Sequence, residues 1–168
     1  MLFRSPIPEG RPAPVEPQDA VVNEDAEYTC KFSIICTALV GNDELDPEKR
    51  ELVPADGIIL PETEVVFYDG ESVFNLLRRV CRQNSIHLEF VDTPLYNTAY
   101  IEGIGNLYEF DAGDLSGWLY SVNDWYPNYG SSRYKLRDGD VVVWEYTVDI
   151  GDGQLGQAAS TEKTMSTT

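Results

Sequence analysis

Residues 72–84 read SVFNLLRRVCRQN and carry the spacing of an amphipathic helix. The apolar residues recur every three or four positions and would share one face: Val73, Leu76, Leu77, Val80 and Cys81. Ser72 can cap the first turn, and we expect the helix to end near Asn84. Arginines occupy the opposite side, so the sequence predicts one helix that packs its apolar face on a sheet.

Strand patterns lie on both sides of this helix. Residues 28–36 read YTCKFSIIC, and apolar side chains at every second position predict a half-buried strand. A second β segment is predicted over residues 57–69, split by Pro61 and followed by a turn at Asp69-Gly70. Further strands are predicted at 86–91, from Tyr100, at 117–122 and at 141–147. The order predicts an α+β fold, a β-grasp-like mixed sheet with one helix packed across it.

The two ends of the chain differ in composition from its centre. Residues 1–25 include five of the ten prolines and predict an extended Pro-rich linker. Residues 151–168 contain few large apolar residues and predict a flexible tail or linker. The folded domain is therefore expected over residues 26–150, flanked by disordered linkers. This arrangement is typical of one piece of a longer modular protein.

Charge and motifs exclude several function classes. The chain has 168 residues, with 12 Lys and Arg against 29 Asp and Glu, a net charge of −17. Nucleic-acid binding needs clustered cations, so we expect no nucleic-acid partner. No apolar run approaches the roughly 18 residues of a membrane span. The single histidine, His87, and the absence of a CxxC pair give no zinc or haem pattern. No nucleophile and base form a recognisable motif, so we expect a protein without catalytic activity or a cofactor.

Three cysteines leave two states open. Cys30 and Cys36 are six residues apart in one predicted strand, about 20 Å at the strand rise, and cannot pair with each other. Cys81 lies on the apolar face of the helix and could bridge to either strand cysteine. The alternative is three buried free thiols.

Aromatic residues concentrate near the C-terminal end of the predicted domain. Six of them lie within the 17 residues 118–134, partly in a polar loop. Aromatic rings offer a large contact area at low entropic cost, and a few polar groups fix a ligand's orientation. Packing in the core is the alternative role, above all for Trp118. The predicted ligand-binding residues are Trp118, Tyr120, Asn123, Trp125, Tyr126, Tyr129 and Tyr134.

Four sequence blocks resemble the bacterial transcobalamin-like C-terminal domain family. They read GESVFNLLRRVC from Gly70, YIEGIGNL from Tyr100, SGWLYSVND from Ser116 and YKLRDGDVVVWEYT from Tyr134. The resemblance covers roughly residues 26–150. It implies a β-grasp-like fold related to the smaller domain of transcobalamin and intrinsic factor, which closes cobalamin against a separate helical barrel. It also implies that Trp118 and Tyr120 lie on the strand facing the ligand.

Two function hypotheses follow. The first is a non-catalytic ligand-binding module of a bacterial surface or secreted protein, with cobalamin or another corrinoid as ligand on the aromatic face. The chain has no helical barrel of its own, so tight binding would need a partner domain. The alternative is a structural or adhesion module that binds protein or glycan. The N-terminus shows no signal peptide, and an extracellular location is expected within a longer parent protein.

Overall fold

The structure is a computed structural model that describes residues 7–93 and 98–150. Its regular elements, in chain order, are β1 (Asn23–Ile35), β2 (Ile58–Asp69), α1 (Val73–Gln83), β3 (Leu88–Thr93), β4 (Thr98–Ile104), β5 (Leu107–Tyr108), β6 (Gly117–Val122) and β7 (Val141–Thr147). Short 3₁₀ turns also occur in the connections.

The main sheet has the strand order β2-β1-β7-β6. Its central strands β1 and β7 are parallel, while the outer strands β2 and β6 run antiparallel to their neighbours. The β-grasp arrangement consists of the β1–β2 pair, helix α1 and the β6–β7 pair, with β1 and β7 parallel at the centre of the sheet. The predicted α+β fold is therefore confirmed. A second, antiparallel sheet of order β3-β4-β5 is also present, which the single predicted sheet did not include.

Helix α1 begins and ends where its sequence predicts. Ser72 accepts a hydrogen bond from the Asn75 amide at 3.1 Å, and Asn75 Oδ1 accepts one from the Ser72 amide at 2.9 Å. This reciprocal capping satisfies two backbone donors that the helix itself cannot pair. The predicted apolar face is buried in the core. Its burial against the sheets holds the helix in place.

Strand β2 continues through Pro61, although the sequence predicts a break there. A proline cannot donate to a strand ladder, so it is tolerated on an edge strand or at an irregularity. Both conditions hold, because β2 is the outer strand and the pairing register shifts between Phe32 and Ile34 on β1.

The described part of the predicted linker contacts the domain. Residues 8–16 lie against the loop that follows β6, and β1 begins at Asn23, three residues before the predicted start of the domain. The division of the chain at residue 25 stays a prediction. The predicted tail, residues 151–168, lies outside the described residues.

All three cysteines are buried free thiols in the structure, and neither disulfide left open by the sequence is present. Burial raises the pKa of Cys36 to about 11 and the pKa values of Cys30 and Cys81 to about 12. Desolvation disfavours the charged thiolate and is the main cause in each case. The thiols therefore pack as small apolar groups.

We expect these thiols to resist alkylation in the native protein. The thiolate is the reacting species, so a pKa raised by two or more units slows the reaction at least about 100-fold, before burial is counted. The protein is treated with iodoacetamide at pH 8, and mass spectrometry follows the modification over time. We expect slow modification in buffer and modification of all three cysteines in urea. Rapid native modification of Cys81 would contradict its burial.

Candidate functional site

Four of the seven predicted ligand-binding residues lie inside the protein. Trp118, Tyr120, Tyr129 and Tyr134 are each at most 1% exposed. Strand β6 is buried along its whole length. The strand that the resemblance assigns to the ligand face is thus shielded from solvent in this structure.

Three of these four aromatic side chains, those of Trp118, Tyr120 and Tyr129, donate hydrogen bonds to backbone carbonyls. Trp118 Nε1 donates to the Leu107 carbonyl at 2.8 Å, and the Tyr120 hydroxyl donates to the Tyr129 carbonyl at 2.8 Å. Burial raises the pKa of Tyr120 and, with Asp140 nearby, raises the pKa of Tyr134 to about 12. The hydroxyls stay protonated at neutral pH. Together these contacts fix the aromatic loop, residues 123–134.

The remaining three predicted residues lie nearer the surface. Asn123 is half-buried and bridges Asp140 at 3.0 Å and the Val141 amide at 2.8 Å. Trp125 is half-buried, while Tyr126 is 37% exposed and donates a short hydrogen bond to Glu145. Desolvation, followed by this bond, raises the pKa of Tyr126 to about 12. Whether any of the seven contacts a ligand stays a prediction.

An open groove of about 400 Å³ lies beside the aromatic loop. The N-terminus of α1, the adjoining ends of β3 and β4, and residues 17–22 form its walls. The apolar lining residues are Pro17, Ala20, Val22, Phe74 and Ala99. The polar lining residues are Ser72, Asn75, Asp92, Thr93, Thr98 and Ser132. With one carboxylate among hydroxyls and an amide, this lining suits a largely neutral ligand that has both apolar surface and polar groups.

Hydrogen bonds fix the hydroxyl side of the groove. Ser132 Oγ lies 3.2 Å from Thr98 Oγ1 and accepts a bond from the Ala99 amide at 3.2 Å. Thr93 Oγ1 donates to the Thr98 carbonyl at 2.7 Å. The loop approaches β4 so closely that a Cβ on Gly130 would lie 1.9 Å from Thr98 Oγ1. The polar groups of this wall are therefore held in fixed positions before any ligand arrives.

Residues before β1 form the opposite wall of the groove. Gly70 has a positive φ of 95°, and a Cβ there would lie 2.1 Å from the Val21 carbonyl oxygen. Glycine thus permits the close crossing of the chain at this turn. The sequence gives little indication of this groove. The proline-rich composition before β1 indicates a linker, and the two residues whose hydroxyls pair, Thr98 and Ser132, are far apart in sequence.

The described residues contain no cluster of potential metal ligands. Among them, no three His, Cys, Asp or Glu side chains come together as a metal site. His87 Nδ1 accepts from the Asn106 amide, and its Nε2 lies 2.9 Å from the Tyr108 hydroxyl. Both ring nitrogens therefore have structural partners. No helix within the described ranges has the length and apolarity needed to cross a membrane.

Comparisons with known proteins agree with this fold. Residues 70–148 match a family described as "Domain of unknown function (DUF4430)". Haptocorrin, solved in complex with Cbi, aligns at a TM-score of 0.55 with 13% identity, over 74% of this chain and 26% of that chain. The chain has the fold of a transcobalamin-like domain. The aligned part of this chain corresponds to about a quarter of the haptocorrin chain.

A structure described as a "putative metal binding protein from Ruminococcus gnavus ATCC 29149" aligns at a TM-score of 0.41 with 15% identity, over 71% of this chain and 96% of that chain. No curated protein matches the sequence significantly.

Proposed function

We propose that this domain is a non-catalytic ligand-binding module of a larger extracellular protein, and that the groove holds its ligand. The observation that carries the proposal is the fold shared with haptocorrin, which was solved in complex with Cbi. The ligand class we propose is a corrinoid or another neutral ring-containing molecule. Because the chain corresponds to a quarter of haptocorrin, a second domain would cover the other side of the ligand.

The chemistry of the groove supports this ligand class. Phe74 and Val22 offer apolar contact to a ring, while the Thr93 hydroxyl oxygen can accept and the Asn75 side-chain NH₂ can donate a hydrogen bond to amide substituents. The wall residues Thr98 and Ser132 are already ordered, so binding would cost less conformational entropy. The strongly acidic chain would repel anionic competitors.

Calorimetric titration with cobalamin and with cobinamide tests the ligand class. We expect saturable binding in the micromolar range, since one domain supplies part of the contact surface. If neither corrinoid binds at millimolar concentration, the corrinoid proposal is wrong, and glycan or protein binding by an adhesion module becomes the better hypothesis.

A substitution that fills the groove should weaken corrinoid binding. Ala20 is exposed and lines the groove, so Ala20→Trp places a large ring in it without disturbing the core. We expect at least about a tenfold loss of corrinoid affinity, or about 1.4 kcal/mol. Calorimetry on the wild-type and variant chains measures the change.

Two variants make this test specific. Ala38→Trp adds the same ring at an exposed alanine that does not line the groove and should bind as the wild type does. Trp125→Ala combined with Tyr126→Ala alters the exposed part of the sequence-predicted aromatic site. Loss of binding in this double variant, with retention in Ala20→Trp, would move the site to the aromatic loop.

A further inference from the structure

The N-terminal segment, residues 8–16 with the sequence PEGRPAPVE, is held on the aromatic loop by backbone hydrogen bonds. The Tyr129 hydroxyl donates to the Pro12 carbonyl at 2.6 Å, and the Val15 amide donates to the Arg133 carbonyl at 2.8 Å. Arg137 donates to the Gly10 carbonyl at 3.0 Å. The domain therefore forms hydrogen bonds with the main chain of the segment at three residues, Gly10, Pro12 and Val15.

Charged side chains fix both ends of the contact. The Arg11 guanidinium lies 5.5 Å from the centre of the Trp125 ring and donates to the Asn123 carbonyl at 3.2 Å. Glu16 pairs with Arg133 at 2.6 Å. On the domain side of the contact, two basic residues, Arg133 and Arg137, thus bind the segment, in a protein with an excess of acids. Such a concentration favours recognition of a peptide with a defined charge order.

After a turn that the Arg11 amide closes on the Pro8 carbonyl, residues 11–16 have the properties of a peptide that binds in an extended conformation. Pro12 and Pro14 fix φ and lower the entropy that binding must remove. Glu16 has φ −65° and ψ 135°, the geometry of a polyproline II helix. Protein surfaces that bind such peptides present aromatic rings and donate hydrogen bonds to peptide carbonyls. Trp125 and Tyr129 supply these features, with their rings 6.2 Å apart and nearly perpendicular.

We propose that the aromatic loop with Arg137 is a binding site for an extended proline-rich peptide of the form Arg-Pro-x-Pro-x-Glu. The chain fills this site with its own N-terminal segment. A partner that presents the same pattern would compete for the site and displace the segment. This inference does not depend on the ligand proposed for the groove.

A competition experiment on the full chain tests the site. Arg11→Ala with Glu16→Ala weakens the intramolecular contact while leaving the site residues intact. A fluorescent peptide copying residues 7–17 should bind this variant at least about tenfold tighter than the wild-type chain, because the site is vacant more of the time. A peptide carrying the same two alanines should bind neither protein. Fluorescence anisotropy measures all four affinities.

Changes in the site itself provide the decisive control. Adding Trp125→Ala to the weakened chain should reduce peptide affinity at least about tenfold, since it removes the surface that Arg11 contacts. Equal binding of the two peptides, or no effect of Trp125→Ala, would overturn the proposal. Circular dichroism establishes that each variant is folded. Should a variant not fold, hydrogen exchange in the wild type decides: a Val15 amide that exchanges as fast as in the free peptide would also overturn it.

Discussion

Replacing Trp118 with alanine is expected to lower the free energy of unfolding by about 3–5 kcal/mol, the cost of removing a large buried ring. Trp118 is 1% exposed, and its ring packs edge-on against Tyr146 at 5.3 Å. Its indole also donates to the Leu107 carbonyl, which anchors β5 beside β6. The variant therefore loses apolar contacts and a bond between the two sheets. Urea denaturation followed by circular dichroism measures the change.

Two further substitutions separate packing from ligand contact. Trp118→Phe keeps most of the apolar volume but leaves a carbonyl without its donor, and should cost about 1–3 kcal/mol. Tyr126→Phe removes a hydroxyl from a partly exposed residue and should cost less than about 1 kcal/mol. A Trp118→Ala protein with wild-type stability and no corrinoid binding would show that Trp118 is a ligand contact, as its sequence position implies.

Local sequence patterns were sufficient to predict the helix and most strands of this fold, although not the short strand β5. The alternation in β1, the apolar spacing of α1 and the Ser72 cap each depend on neighbouring residues. The β2 edge position, which explains why Pro61 does not break the strand, depends on residues far away in sequence. The parallel pairing of β1 with β7 is likewise a long-range property, and the sequence patterns predicted only a β-grasp-like mixed sheet without its strand pairs.

The site could not be predicted in the same way, because an aromatic residue in a strand has two physical roles that look identical in sequence. Trp118 and Leu119 are adjacent and both buried, so period-two alternation does not distinguish an inner face from an outer one. The N-terminal segment presents a similar problem. Its prolines indicate a linker by composition, yet the Glu16–Arg133 contact joins residues 117 positions apart. The burial of Trp118 shows that it packs in the core, and the Glu16–Arg133 ion pair shows that the N-terminal segment contacts the domain.

The groove and the aromatic loop are physically connected. The N-terminal segment lies on the loop, and the residues that follow it, including Pro17 and Ala20, form one wall of the groove. A peptide that displaces the segment would therefore also free this wall. Ligand binding in the groove and peptide binding at the loop would then oppose each other, and linkage requires the effect to be reciprocal.

Replacing Glu71 with alanine is expected to destabilise the domain by about 2–3 kcal/mol, because the buried carboxylate accepts charge-assisted hydrogen bonds from the partly exposed Arg79 and a bond from a backbone amide. Glu71 is 5% exposed and accepts hydrogen bonds from Arg79 at 2.5 and 2.8 Å. It also accepts the Tyr68 amide at 2.7 Å. These bonds join the end of β2 to the face of α1. Arg79 remains charged in the variant and keeps the Val66 carbonyl, at 3.0 Å, as a hydrogen-bond acceptor, but it loses its carboxylate partner.

Glu62→Ala provides the matched control. It removes the same charge from an exposed position on β2, so any gain from reducing the net charge of −17 is common to both variants. We expect its effect on unfolding to lie within about 0.5 kcal/mol. A double-mutant cycle with Arg79→Ala should give a coupling of about 1–3 kcal/mol that changes little between low and high salt, because buried pairs are weakly screened. Equal stability of Glu71→Ala and Glu62→Ala would instead mean that the turn and the helix cap hold β2 to α1 without the ion pair.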